Sequence, residues 1–189
     1  MKITLTLMLL IGSALAQNQA QHSPEYLSAD KKIAAMMAFE SNPAAGGRVT
    51  VLTDAEINGY FAEGGVKWPD GVSDVKLDDQ PAVINGSGQV DFDKVTAKNR
   101  SSSPWLALFT GVHMVRVTAQ VAGIKGRATV KVQSVSLDGL EIPRAALEFF
   151  VQKYLQPKYP EADLDTVFGM PDRIDSAIVG DRQITFTQR

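Results

Sequence analysis

The chain has 189 residues, 19 Lys and Arg against 21 Asp and Glu, a formal net charge of −2, and no cysteine. That length suits one domain with a sizeable core, and the missing cysteines exclude both disulfides and a thiol nucleophile. A faintly acidic balance without a basic cluster argues against nucleic acid as a partner and against electrostatic adhesion to anionic lipid.

Lys2, the apolar run from Ile3 to Leu15 and the triplet Ala14-Leu15-Ala16 read as a cleavable signal peptide over residues 1–16, cut after Ala16. The apolar run is about 13 residues, short of the roughly 20 that a membrane-crossing helix needs. A periplasmic or secreted protein is therefore expected. With no cysteine after the cut, a lipoprotein anchor is excluded.

Residues 17–47 read as a polar leader, an N-terminal helix and a Gly/Pro hinge. Ser23-Pro24-Glu25 supplies an N-cap, a first-turn proline and a first-turn acid. The helix runs to about Phe39, with Ile33, Met36 and Met37 as expected core contacts, and Asn42-Pro43-Ala44-Ala45-Gly46-Gly47 breaks it.

Residues 48–189 are expected to form a single α+β domain. Arg48–Leu52 is a short strand, after which Thr53 and Glu56 make a capping box and Leu52 staples onto Ile57. Ile57, Tyr60 and Phe61 then share one helix face, and Gly64-Gly65 ends the helix. Three or four strands should follow between Val72 and Val95, with turns at Asp78-Asp79-Gln80-Pro81 and Asn85-Gly86-Ser87-Gly88. Ser103-Pro104 opens a short apolar helix, Trp105-Leu106-Ala107-Leu108-Phe109, which Gly111 closes.

The clearest unit is a hairpin leading into a helix. Val115, Val117, Ala119 and Val121 alternate with polar residues, as do Ala128, Val130 and Val132 beyond the turn Gly123-Ile124-Lys125-Gly126. A second turn, Leu137-Asp138-Gly139-Leu140, precedes a helix from Pro143 to about Gln156. Leu147, Phe150, Val151 and Tyr154 form its stripe, widened by Phe149 and Leu155. The phrase Trp68-Pro69-Asp70-Gly71-Val72 is echoed by Met170-Pro171-Asp172-Arg173-Ile174, each leading into a strand pair, the second being Ile174–Val179 and Gln183–Thr187. Duplication and coincidence both account for the echo, because Pro-Asp commonly opens turns.

Chemical motifs are sparse. No Gly-x-Ser-x-Gly elbow occurs. His22 lies in the leader, and His113 shares the inward parity of Val115. Asp91-x-Asp93 and Asp163-x-Asp165 lack the Gly and terminal Glu of a calcium loop, so no metal site is expected. No nucleotide-binding loop is present either, and no cofactor is expected. An enzyme is not the favoured reading.

Three phrases carry a resemblance: Val49 to Asn58, Leu137 to Pro143, and Ile174 to Thr187. Their order resembles the exported lipid-binding proteins of the LmeA type and, more loosely, the tubular lipid-binding (SMP/BPI-like) proteins of the bacterial envelope. That resemblance implies a curved antiparallel β-sheet wrapped on a long helix of the C-terminal half, with a separate N-terminal helix and an apolar groove for acyl chains. Non-enzymatic binding or transport of a lipid or other apolar small molecule is the expected function, with room for transient membrane contact. Trp105, Leu106, Leu108, Phe109, Phe149 and Phe150 are the candidate apolar lining. The alternatives are a structural or protein-interaction module of the envelope, and an envelope hydrolase using convergent carboxylates.

Overall fold

The spine of the computed structural model, which describes residues 22–41, 46–96, 110–157, 160 and 163–189, is the expected hairpin. Its strands are β4 (Val112–Ile124) and β5 (Arg127–Leu137). Lys125 and Gly126 both adopt positive φ, 53° and 72°, giving the turn whose twist suits antiparallel strands. Asp138 and Gly139, at 49° and 85°, repeat that device and join β5 to the two-residue β6 (Leu140–Glu141).

Val115, Val117, Ala119, Val121 and Gly123 form the dry face of β4. A bulge in β5 keeps that face continuous. Ala119 pairs with Val132 and Val117 with Val135, so Gln133 is the extra residue and Val132 and Val135 both face inward although three apart.

The sheet is antiparallel and curls as a half-barrel, in the order β1 (Arg48–Thr53), β9 (Gln183–Gln188), β8 (Ile174–Gly180), β4, β3 (Val83–Asp91), β2 (Val72–Gln80). β5 lies on the other side of β4 and carries β6 and β7 (Asp165–Gly169) on its far edge. β8 and β3 share one edge of β4. β3 occupies it up to Gln120, and β8 joins at the single pair Gly123–Ala177.

The region between Val72 and Asp91 is two nine-residue strands, not three or four. Its turn is Pro81-Ala82, with Ala82 at φ 61°, one step beyond Asp78–Gln80. Asn85-Gly86-Ser87-Gly88 is strand interior, not a turn. Gly86 and Gly88 face inward against Leu77 and Val75 of β2; at Gly88 an added Cβ would lie 3.2 Å from the Ser73 carbonyl oxygen, so glycine there permits close approach between strands.

α1 (Pro24–Ser41) is capped by Ser23, whose Oγ accepts the Tyr26 N–H at 3.1 Å. It buries Ala29, Met36 and Phe39. Met37 is 60% exposed, a correction to its expected core position: with Met36 and Ala29 inward, a residue one step on turns away. α2 (Asp54–Ala62) shows the full capping box, and Leu52 and Ile57 meet in one core cluster with Ala29, Val179 and Ile184.

The second cluster, Phe92, Leu137, Ile142 and Ala146, joins α3 (Phe92–Thr96) and α4 (Arg144–Phe150) to the other end of the spine. The long helix expected in the C-terminal half is not formed. α4 has seven residues and passes into a π-helical turn over Val151–Leu155, closed by Gln156 N–H donating to the Val151 carbonyl. Pro157 follows, and a proline both lacks the N–H and disfavours helix in the residue before it.

The Pro-Asp echo has a structural counterpart. Val72 N–H donates to the Pro69 carbonyl and Ile174 N–H to the Pro171 carbonyl, both at 3.0 Å. Gly71 and Arg173 both take positive φ, and a register shift follows in each hairpin.

Candidate functional site

The far edge of β5 has a gap in its ladder. β7 pairs with Arg127–Lys131 and β6 with Ser136–Leu137, so residues 132–135 have no strand partner on that side. Two bonds pin the ends of the gap: Val132 N–H donates to the Leu164 carbonyl, and Ile142 N–H to the Val135 carbonyl. Over the gap lies an open cleft of about 310 Å³, at the lower end of the size range of small-molecule sites.

The cleft has a mixed lining, with more polar than apolar surface open to it. Val132, Ile142, Pro143, Leu147 and Leu164 are its apolar lining residues, and Gln133 on the bulge, Ser134, Glu141 and Arg144 its polar ones. Arg144 is held in place: its Nε donates to Glu148 Oε1 at 2.9 Å and its Nη2 to Asp165 Oδ2 at 3.0 Å. These two carboxylates raise the guanidinium's already high pKa, so its charge is permanent. Leu147 and Ile142 also touch the Phe92 cluster, which makes the apolar lining continuous with the second core.

Of the residues expected to line a groove, Phe150 and Phe149 stand on the neighbouring faces of α4. Phe150 meets Phe92 edge-on at 5.8 Å between ring centres, and Lys153 Nζ lies 5.6 Å from the centre of the Phe149 ring. Trp105, Leu106, Leu108 and Phe109 lie outside the described residues, as does the whole of the short helix expected there. Leu147 belonged to the helix stripe visible in the sequence. Gln133, Arg144 and Leu164 carried no such signal, because a bulge and a contact between distant loops bring them together.

His113 is half-buried beside Phe92. Its Nδ1 meets Asp138 Oδ2 and its Nε2 meets the Thr110 carbonyl, each at 2.7 Å. Both partners are acceptors, so both ring nitrogens carry protons in this arrangement. The Asp138 hydrogen bond and then the Thr110 carbonyl raise the His113 pKa. A raised folded-state value contributes stability that is complete below the unfolded imidazole's pKa and is lost as pH rises through the folded one. H113Q should accordingly melt below the parent at pH 5.5 and match it at pH 8.5. Equal gaps at both pH values in paired thermal melts would refute this.

No metal-holding group of three or more His, Cys, Asp or Glu occurs among the described residues, and no described helix is long and apolar enough to cross a membrane. No protein-family model, curated protein or solved structure matches the chain.

Proposed function

We propose that the protein binds a lipid or other amphipathic small molecule, without chemical conversion, in the cleft beside α4, and that it does so in the cell envelope after export. The observation that carries this reading is the cleft itself, in which the side chains of Val132, Ile142, Leu147 and Leu164 lie beside the polar groups of Gln133, Ser134, Glu141 and Arg144. A chain seated there gains about 0.8 kcal/mol per buried methylene, while those polar groups orient a polar head. Leu147→Trp fills the cleft from α4. The parent should retain a lipid through gentle purification, seen by native mass spectrometry, or bind a fluorescent fatty-acyl probe. L147W should bind at least tenfold more weakly while remaining cooperatively folded in a thermal melt, even though the larger ring crowds the Phe92 cluster. Bare polypeptide together with no probe binding by the parent would end this reading.

A second reading, a protein-interaction module, rests on the outer sheet face. Val167, Thr129, Ala122, Ile178, Thr185 and Val51 form a row of outward residues across six strands, flanked by the exposed Ile124 and Val49. Ile178→Lys should abolish association with a protein partner under this reading and leave probe binding intact under the first.

A further inference from the structure

Asp54 and Asp79 meet where α2, β2 and the β8–β9 turn converge, and three hydrogen bonds close a ring there. Asp54 N–H donates to the Arg182 carbonyl at 3.0 Å, Arg182 N–H to the Asp79 carbonyl at 3.0 Å, and Asp79 N–H to Asp54 Oδ2 at 2.9 Å. Arg182 takes a positive φ of 52° in that turn.

Both acids are buried, Asp54 4% exposed and Asp79 0%. Asp54 Oδ1 and both side-chain oxygens of Asp79 receive no hydrogen bond.

Among the described residues, no cation forms an ion pair with either acid. α2 brings Glu56, already paired with Lys32 of α1, and β2 brings Asp78. The turn brings Asp181 and Arg182, both with exposed side chains. β3 sets Ile84 opposite Asp79 in the ladder, and Ile84 packs against the apolar cluster that holds Val179 of β8. Two buried carboxylates in this setting cannot both stay ionised. A single proton resolves the conflict, since a neutral acid can donate to the free oxygen of its ionised neighbour. Asp54 lies in the first turn of α2, where the helix dipole favours the negative charge, which leaves the proton on Asp79.

We infer that Asp54 and Asp79 share one proton, and that this proton latches α2 and the β8–β9 turn onto β2, so that its loss loosens the junction. The inference is independent of any ligand in the cleft. Burial and then the Asp54 charge push the Asp79 carboxyl up to about 7, which sets the release near neutrality. Between the ordinary aspartate value of 3.8 and that point, the folded chain holds a proton that the unfolded chain has lost. Stability therefore falls as pH rises across the window and levels off above it.

The experiment is thermal unfolding of the full chain from pH 5 to 8.5, parent against Asp79→Asn, with a carbon-13 carboxyl titration of the parent. The asparagine amide can donate to Asp54 as the neutral acid would. The parent's Tm should drop by about 5–10 °C between pH 5 and 8, and D79N should lack that part of the decline and equal or exceed the parent at pH 8. A D79N profile parallel to the parent's overturns the latch. Should D79N fail to fold, the titration decides. One carboxyl of the pair titrating near pH 7, with the Asp79 and Arg182 amides losing exchange protection over the same range, supports it. Both titrating below pH 5 overturns it.

Discussion

Gly123→Val should be the most damaging single substitution in the sheet, lowering stability by about 3 kcal/mol or more. A Cβ at Gly123 would lie 2.9 Å from both the Cβ and the carbonyl oxygen of Ala177 and 3.1 Å from its nitrogen. Two of those three atoms are backbone, which no rotamer change relieves. The clash also falls at the one pair that joins β8 to β4. Around it the seam relies on single bonds: Val121 N–H to the Ala82 carbonyl, Ala82 N–H to Val179, and Gly126 N–H to Asp175. Forcing the strands apart strains all of these and separates the β1-β9-β8 ribbon from the rest of the half-barrel. Domains have about 5–15 kcal/mol in total, and for this size about 3 kcal/mol corresponds to a Tm loss of roughly 6–12 °C. Gly86→Ala is the control: an added Cβ there meets only a Leu77 methyl at 3.8 Å, so its Tm should stay within about 2 °C of the parent. Thermal melts of both variants test the pair, and a G123V melt indistinguishable from G86A would contradict the steric account.

The contrast between these two glycines shows what was legible in the sequence. Gly123 and Gly126 both sat in an expected turn, but only Lys125-Gly126 turns, and Gly123 is strand because β8 passes against it. Gly86 and Gly88 imitate a turn signal inside a strand, and of the two only Gly88 lies where the facing strand needs the space. Local chemistry was readable wherever it was self-contained. The Thr53–Glu56 capping box, the Leu52–Ile57 staple, the Ser23 cap and the Asp138-Gly139 hairpin need only residues a few positions apart, and all form.

The cleft was not readable for the complementary reason. Its lining takes Leu164 from one loop and Leu147 from a helix, and depends on the Gln133 bulge, which shifts parity without leaving a compositional mark. The C-terminal-half helix was overextended because an apolar stripe continues through Val151 while the backbone widens into a π turn. The Asp54–Asp79 contact joins residues 25 apart, and neither looks unusual among 21 acids. Sequence periodicity reports which side of an element is dry. It does not report which distant polar group shares that dry side.

Glu56→Ala should be the most damaging change outside the sheet, at about 3 kcal/mol, because one carboxylate serves three elements. Its Oε2 accepts from Thr53 N–H at 2.9 Å to complete the cap of α2. Its Oε1 accepts from Ser28 Oγ at 2.5 Å and from Lys32 Nζ at 2.6 Å, both on α1. Lys32 Nζ in turn donates to the Val51 carbonyl on β1. The Glu56 side chain is only 11% exposed, so solvent screens these contacts weakly, and truncation leaves the Lys32 ammonium half-buried with one carbonyl. Glu56→Gln should cost less than Ala, since the amide oxygen can still cap α2. Lys32→Met combined with E56Q should recover part of the loss by removing the stranded charge. Burial works against ionisation of Glu56, but the Lys32 and Ser28 hydrogen bonds overcome it and hold the carboxyl down to about 2. A depressed folded-state value contributes stability that is present above the ordinary glutamate value of 4.5 and lost as pH falls toward 2. The parent should therefore lose about 3 kcal/mol from this group between pH 5 and 2, and E56Q should lose correspondingly less over the same interval. This acid-side slope is opposite in sign to that of the Asp54–Asp79 pair, so urea titrations from pH 2 to 8.5 separate them. An E56Q acid limb as steep as the parent's would show that Glu56 does not anchor α1 to the sheet.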